Sequence, residues 1–195
     1  MLKIDAHVHT YPHSVCSTMP PERAINAAIN ASIDGIIITE HDYLWVEAEI
    51  ERLCLYNDGK LRRLFFGAEV NCKEGHFLVF GLKNLDNIYF SMPAAELIKI
   101  AHKKGAAVIV AHPYRFDNEQ GDSCYKLDID GVEVNSSNTY ATAERLAHKL
   151  ADEKGIFKLI SSDAHAVDVL GSYYTSFPDS IDSVEAFAGY ILNAK

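Results

Sequence analysis

The stretch GIIITEHD, residues 35–42, decides the fold class. Its three consecutive isoleucines are typical of a strand that is covered on both faces, as in the parallel sheet of an α/β protein. The ionisable side chains of Glu40, His41 and Asp42 follow at the point where that strand ends. Active sites of α/β folds form at the carboxyl ends of parallel strands. This stretch therefore predicts both the fold class and the place of the functional site.

The alternation of strand and helix continues on both sides of this stretch. Short β-branched and aromatic runs predict strands at Leu2–Val8, Gly35–Thr39, Arg63–Asn71, His76–Leu82, Ala106–Ala111, Gly131–Asn135, Phe157–Ser161 and Ser172–Phe177. Apolar residues at helical spacing predict helices at Pro20–Ser32, Pro93–Lys103, Thr139–Lys154 and Ile181–Leu192. One helix is missing from the alternation, because the third and fourth strands are joined only by the tight turn Cys72–Gly75 and are expected to form a hairpin.

Length and composition set further limits. The chain has 195 residues, of which 48% are hydrophobic, so a single domain over residues 1–195 is expected. The formal net charge of -9 disfavours binding of long nucleic acid, although bound cations would offset part of that charge. The four cysteines have no CxxC spacing, and no run of about 18 apolar residues occurs. We therefore expect free thiols, no membrane segment and a cytoplasmic location.

The side chains that could bind metal lie at the ends of predicted strands rather than being scattered. They are His7, His9, Glu40, His41, Asp42, Glu69, His76, His112, Asp163 and His165. His7 and His9 are two residues apart, so the alternation of a strand places both imidazoles on one face. Asp163 and His165 repeat this spacing. His76 opens its strand, and an antiparallel strand would bring its first residue to the same rim.

This collection predicts a metal centre with more than one ion. Imidazole and carboxylate together suit zinc, manganese or iron, and the two oxygens of Glu69 could bridge a pair of ions. A single histidine after a strand is more often a core or loop residue than a ligand. Burying so many ionisable groups at one end of a small domain without a cation, however, would cost several kcal/mol per unpaired charge.

Other candidates have two interpretations each. Arg115, three residues after His112, could bind a phosphate oxygen or form a surface salt bridge. Asp42 could relay a proton or orient His41, or it could cap the helix that follows. His102 is interpreted as a solvated helix residue. No GxSxG, GxxxxGK[ST] or GxGxxG motif is present, which argues against serine hydrolases, P-loop proteins and dinucleotide-binding folds.

Six segments carry a resemblance to a known family. They are IDAHVHT, ITEHD, GAEV, GHFLVFG, AHPYR and SSDAH, and in this order they resemble the motifs of the polymerase and histidinol phosphatase (PHP) domain family. The resemblance spans nearly the whole chain. It implies a distorted (β/α)7 barrel with the metal site at the C-terminal rim of the strands, and a site that usually holds three metals.

The resemblance also implies which residues hold each metal. The first metal would be held by His7, His9, Glu69 and Asp163, the second by Glu69, His76 and His112, and the third by His41 and His165. A further ligand of the third metal would come from the segment after the HxH motif. There His13 is the first choice and Cys16 the second.

The function expected on these grounds is that of a PHP-like metal-dependent phosphoesterase with two or three divalent Zn, Mn or Fe ions. Metal-bound hydroxide would hydrolyse a small phosphate monoester, as a phosphatase acting on histidinol phosphate or a nucleotide does, and would release phosphate. The catalytic residues would be Glu69, Asp163, His41 and Asp42, and Arg115 and His13 would bind substrate. The alternatives are a nuclease or oligonucleotide-end phosphatase and a non-catalytic, metal-containing regulatory module.

Overall fold

A computed structural model describes residues 1–194 of the chain. Eight strands form a single sheet in the order β7-β6-β5-β4-β3-β2-β1-β8. Their bounds are β1 Leu2–Val8, β2 Gly35–His41, β3 Arg63–Cys72, β4 Gly75–Phe80, β5 Ala107–Val110, β6 Gly131–Asn135, β7 Phe157–Ile160 and β8 Thr175–Phe177. All eight predicted strands are therefore present, most of them within a few residues of their predicted bounds.

The helices are α1 Pro21–Asn30, α2 Glu47–Asn57, α3 Ala94–Lys103, α4 Asn118–Ser123, α5 Ala141–Lys154 and α6 Val184–Leu192, with a short 3-10 helix at Cys124–Lys126. The four predicted helices are found, each beginning one to three residues later than expected. Helices α2 and α4 have no counterpart among the predicted bounds. His102 of α3 departs from expectation, because its Nε2 lies 2.8 Å from the buried carboxylate of Asp130 instead of facing only solvent.

Strand direction follows the predicted pattern. The β1–β2, β2–β3, β5–β6 and β6–β7 pairs are parallel, whereas β4 is antiparallel to both β3 and β5. The expected hairpin is confirmed: Cys72 pairs with Gly75 across the turn, and no helix separates β3 from β4. The reversal at this turn carries the first residues of β4 to the rim where β3 ends.

The two ends of the sheet meet, so that the barrel is nearly closed. Thr175 of β8 bonds β7 through its hydroxyl, which accepts from Ile160 N and donates to Ile160 O, both at 2.8 Å. Beyond β7, Ala164 forms a parallel bridge with Val8, and His9 N donates to Ala164 O at 2.9 Å. The predicted α/β barrel is therefore confirmed, with side-chain and loop contacts completing the ring.

Apolar side chains fill the barrel away from the rim. One buried cluster combines Leu2 and Ile4 of β1 with residues of the other strands and of α6. Within it the ring of Phe187 packs 4.9 Å from that of Phe80 and 4.7 Å from that of Phe177. Two further clusters lie between the strands and helices α1, α2, α3 and α5. Burial of these clusters holds the strand ends at fixed positions.

All four cysteines are free thiols, as predicted, and Cys72 and Cys124 are buried. Among residues 1–194, no helix combines the length and the apolar composition that crossing a membrane requires.

Candidate metal centre

The predicted ligands converge at one rim of the barrel. His7 is the last residue but one of β1 and His9 follows that strand, His41 ends β2, and Glu69 lies near the end of β3. The others come from the start of β4, from the residue two after β5, and from the loop after β7: these are His76, His112, Asp163 and His165. The sequence places these residues far apart, and the parallel strands bring them together.

Glu69 lies at the centre of this cluster. Its Oε2 is 2.8 Å from His41 Nδ1, 3.2 Å from His9 Nε2 and 3.5 Å from His7 Nε2. Its Oε1 is 2.9 Å from His76 Nδ1 and 3.2 Å from His112 Nε2. The side chain is fully buried. Both oxygens of one carboxylate are therefore surrounded by imidazole nitrogens from different strands, as a bridging ligand requires.

Three groups of side chains have ligand atoms within 4.8 Å of one another: His7, His9 and Glu69; His41, Glu69 and His76; and His9, His41 and His165. The groups share members, so ions held by them would be neighbours. Asp163 Oδ1 adds to the first group, since it lies 3.4 Å from both His7 Nε2 and His9 Nε2. His41 and His165 were expected to hold a third metal. In the structure His9 lies close enough to both to join them.

Exposure differs across the cluster. His7, His9 and Glu69 are completely buried, and His112 and Asp163 are nearly so. The side chains of His41, His76 and His165 are 29%, 31% and 28% exposed. These three histidines form the open side of the site, from which a ligand could approach.

Two of the candidate ligands have unusual backbone conformations. His112 and Asp163 both adopt positive φ, at 30° and 53°. Residues other than glycine rarely do so, and each such conformation costs on the order of 1 kcal/mol or more. His112 lies two residues after β5 and Asp163 three residues after β7, so the sharp turns direct their side chains into the cluster.

The electrostatics of the cluster favour positive charge. Burial by itself would lower the pKa of His7, but Glu133, Asp163 and Glu69 outweigh it and raise that pKa well above its ordinary value. Burial would raise the pKa of Glu69, yet the surrounding histidines hold it well below the usual range. For Asp163, burial is likewise outweighed by His7 and His9, which lower its pKa.

Unpartnered polar atoms show that these residues suit a metal ion. His41 Nδ1, Glu69 Oε2 and His112 Nδ1 are buried and have no hydrogen-bond partner among residues 1–194. Buried polar atoms without partners are rare because each costs about 1–3 kcal/mol. Glu69 Oε2 in particular has three imidazole nitrogens within 3.5 Å and no hydrogen bond. The donor set of imidazole and carboxylate is the one that zinc, manganese and iron prefer.

A layer of buried acids supports the ligands. Glu133 of β6 contacts His7 Nδ1 at 2.9 Å, and neither its role nor its position was predicted. Its place within the apolar strand GVEVN could have marked it, because a carboxylate in a covered strand needs partners. Glu40 was grouped with the metal-binding side chains, and the structure corrects this. Its carboxylate accepts from Thr10, Ser14 and Trp45 and belongs to none of the three groups.

The remaining candidates lie around the cluster. The Asp42 carboxylate is not directed at His41, nor does it cap α2; it accepts from Asn71 N at 2.8 Å and from Asn71 Nδ2 at 2.7 Å. His13 Nε2 lies 3.0 Å from Glu49 Oε1, and its ring stacks on Tyr43, so His13 is outside the three groups.

Two further side chains face the acids of the site. Arg115 Nη1 donates to Asp163 Oδ2 at 3.2 Å, which places the guanidinium beside the cluster. Asn138 Nδ2 donates to the same oxygen at 2.8 Å and was not predicted. The pKa of Cys16 is raised by partial burial and further by Glu69 and Asp163. Whether His13 or Cys16 completes a third metal site stays a prediction.

Comparisons with known proteins give a family match and a curated relative. The PHP-associated family model matches residues 141–195. An uncharacterized protein of Methanocaldococcus jannaschii is 27% identical over 151 residues, which cover 68% of this chain and 81% of that protein.

Solved structures share the fold. A two-domain protein from Bacteroides vulgatus contains a predicted PHP-like metal-dependent phosphoesterase. It aligns with this chain with a TM-score of 0.67 and 23% sequence identity. The alignment covers 86% of this chain but only 53% of the Bacteroides vulgatus protein, so this chain spans about half of that protein's length. A Bifidobacterium adolescentis protein, provisionally described as a metal-dependent phosphoesterase, aligns with a TM-score of 0.67 and 16% sequence identity. The alignment covers 89% of this chain and 92% of that protein. An amidohydrolase from Chromobacterium violaceum, with bound sulfate and no metal, aligns with a TM-score of 0.71 and 13% sequence identity. The alignment covers 96% of each chain.

These identities are low enough that the solved structures support the fold alone. The six ordered motifs resemble those of the PHP domain family, and the PHP-associated model matches the C-terminal residues 141–195. The chain is therefore similar to proteins of the PHP domain family.

Proposed function

We propose that this protein is a metal-dependent phosphoesterase that hydrolyses a small phosphate monoester. The observation that carries the proposal is the shared position of Glu69, whose two oxygens face five histidines from the segments of four strands. The ions would be held by the groups described above together with Asp163 and His112. Bound divalent ions lower the pKa of water and neutralise the charge of phosphate oxygens, which is the chemistry that hydrolysis of a phosphate ester needs.

The chain's own residues divide the remaining tasks. Glu69 and Asp163 would place negative charge at the centre of the site. The partly exposed histidines His41, His76 and His165 would line the opening through which substrate enters. Arg115 uses one N–H on Asp163, which leaves other donors of its guanidinium for a phosphate oxygen. Its contact with a buried carboxylate favours a role in the site over a surface salt bridge.

The surroundings of Arg115 support a substrate that carries a flat ring. The ring of Phe116 is 72% exposed and lies 5.0 Å from the guanidinium carbon of Arg115. An exposed aromatic ring beside a phosphate contact suits stacking with a base or an imidazole. Nucleotides and histidinol phosphate both have this chemistry. The net charge of -9 fits a small metabolite as substrate better than a long polyanion. The free cysteines fit a protein of the cytoplasm.

The proposal is tested by measuring phosphate release from nitrophenyl phosphate and a panel of phosphorylated metabolites with added zinc, manganese or iron. Glu69→Gln should lose bound metal and at least about 100-fold in turnover, because the amide replaces one bridging oxygen by a donor. Glu51→Gln, an exposed change on α2, is the matched control and should behave as wild type. Normal turnover in Glu69→Gln would contradict the assignment.

The same assay separates the competing functions. Shortening of an oligonucleotide without phosphate release from small monoesters would assign the site to a nuclease. If the metal-loaded protein hydrolysed neither class of substrate, a regulatory role for the metal centre would replace the proposal.

A further inference from the structure

The proton of His7 can be located from its partners. Glu133 is fully buried, and three groups approach its carboxylate: His7 Nδ1 at 2.9 Å, Ser161 Oγ at 2.7 Å and His112 N at 2.9 Å. An ionised carboxylate only accepts hydrogen bonds, so each of the three groups donates. A metal-bound His7 ring has one proton, which is therefore on Nδ1, and its Nε2 lone pair faces the ion.

The proton of His9 follows from a chain of two hydrogen bonds. His9 Nδ1 lies 3.2 Å from Ser14 Oγ, and Ser14 Oγ lies 2.5 Å from Glu40 Oε2. The hydroxyl of Ser14 has one hydrogen, which it donates to the Glu40 carboxylate. Ser14 Oγ must then accept from His9, which places the proton of the neutral His9 ring on Nδ1 as well.

Both Nε2 lone pairs consequently point to the same place. The two Nε2 atoms are 2.9 Å apart, and Asp163 Oδ1 is 3.4 Å from each. Two lone pairs at this distance repel each other unless a positive charge lies between them. With Nδ1 occupied by outer partners, Nε2 is the only ring nitrogen that either histidine can offer to a metal ion.

We propose that Glu133 and Glu40 are positioning residues of the metal centre. Glu133 acts directly on His7, and Glu40 acts on His9 through Ser14. Each fixes the ring orientation and the Nδ1–H tautomer of its histidine, so that both histidines bind through Nε2. Glu133 also accepts from the backbone of His112, whose positive φ it helps to hold, and so connects His7 with a second candidate ligand from another strand. This inference rests on the metal centre of the proposed function.

The ring nitrogens of the zinc-loaded protein report the tautomer directly. Long-range proton–nitrogen NMR correlations should show His7 and His9 bound through Nε2, each with a slowly exchanging proton on Nδ1. Because this measurement uses the unaltered chain, it does not depend on any variant folding. Binding of either histidine through Nδ1 would overturn the inference while leaving the metal centre intact. Absence of zinc binding by the wild type would overturn both.

Substitution of Glu133 gives the second test. In Glu133→Gln one of the three donors must face the NH2 group of the amide, which favours a different His7 tautomer or ring orientation. We expect zinc affinity to fall about 10–100-fold, the range found for losing the outer partner of a ligand histidine. The NMR signal of His7 Nδ1–H should shift or disappear. Unchanged zinc affinity together with an unchanged His7 signal would contradict the role of Glu133.

The contribution of Glu40 is separated by varying Ser14. Ser14→Ala removes the hydroxyl between His9 and Glu40, and it should lower zinc affinity and alter the His9 signal but not that of His7. Ser14→Thr keeps a hydroxyl and should restore most of the affinity. The matched control is Asp130→Asn, a buried carboxylate outside the metal centre that lies 2.8 Å from His102 Nε2 and accepts from Val108 N at 2.9 Å. It should leave both ring signals in place, and equal losses in all variants would reveal a general structural effect instead.

Discussion

At the scale of single residues, we propose two roles for Arg115, contact with substrate and orientation of Asp163. It donates to Asp163 Oδ2, the other oxygen of Asp163 lies 3.4 Å from His7 Nε2, and the Arg115 side chain is 28% exposed. A guanidinium has five N–H donors in a planar fork, so one contact with Asp163 does not exhaust it. The residue could therefore bind substrate and orient a ligand together.

Arg115→Ala is expected to raise KM for a phosphate monoester about 10–100-fold, because a charge-assisted hydrogen bond contributes about 1.5–3 kcal/mol. Arg115→Lys should recover part of this loss, since an ammonium keeps the charge but not the fork. Steady-state kinetics measures both, and metal content shows whether Asp163 still binds. Arg145→Ala on the exposed face of α5 is the control. An unchanged KM in Arg115→Ala would exclude a contact with substrate.

The convergence of the candidate ligands could be predicted from sequence because each is close to a strand end, but their surroundings could not. The HxH spacing of His7 and His9 and the isolated acid Glu69 were sufficient to propose a shared metal site. The partners Glu133 and Asn138 come from β6 and the loop after it, and nothing local to His7 or Asp163 indicates them. Which side chains hydrogen-bond to each other depends on which strands become neighbours. A short stretch of sequence does not contain that information.

At the scale of elements, the alternation of strands and helices was predictable where burial is strong. Helix α2 was missed because only Leu53 and Asn57 are buried along it, while Leu55 and Tyr56 face solvent and obscure the helical period. The irregular register of β1 on β2 between Asp5 and Val8 was equally hidden. Such irregularities redirect side chains, and this one lies where His7 turns toward β6.

Asp34 connects the starts of three strands. Its carboxylate accepts from Lys3 N at 2.9 Å and from Arg62 Nη1 at 3.0 Å, and its own backbone bonds Lys3 and Arg63. The hydrogen bond from Lys3 N, helped by Arg62, holds the pKa of Asp34 below its ordinary value of 3.8. A carboxyl group whose pKa is lower in the folded chain stabilises the fold above its unfolded pKa, and this stability is lost as pH falls through the folded pKa.

Asp34→Asn should therefore lower the free energy of unfolding by roughly 1 kcal/mol at neutral pH, a value reduced by partial solvent exposure. The difference from wild type should shrink as the pH falls below about 4. Urea unfolding across this pH range measures it, with Asp168→Asn as the control for an exposed carboxylate. A difference that stayed constant with pH would show that the charge of Asp34 has no part in it.

At the scale of the whole molecule, metal binding should couple to folding. The ligands come from the first strand, the hairpin, and the loop after the seventh strand, so bound ions would connect distant parts of the barrel. A ligand at about 100 times its Kd stabilises the folded state by about 2.7 kcal/mol. For a chain of this size, that corresponds to a change in Tm of roughly 5–10 °C.

Treatment with a chelator is thus expected to lower Tm by about that amount, and addition of zinc or manganese should restore it. Calorimetry measures the change. The Glu69→Gln variant is the control, because a chain that has lost its metal should not respond to the chelator. Equal responses of wild type and variant would mean that the chelator acts elsewhere.

The overall architecture was the most predictable level, since the eight apolar runs and the missing helix between β3 and β4 determine most of the strand pairing. Closure of the barrel was not predictable, because it depends on the hydroxyl of Thr175 and on the bridge between Val8 and Ala164. These contacts join residues that are far apart in sequence and carry no periodic pattern.

The bridge between Val8 and Ala164 has a consequence for synthesis of the protein. It joins the first ligand segment to the last, so the coordinating atoms are complete only after residue 165 has left the ribosome. A growing chain that ends before this point exposes His7, His9 and Glu69 with neither Asp163 nor His165 to complete their surroundings. Uptake of the proposed ions would therefore be a late event, which follows translation of more than four fifths of the polypeptide.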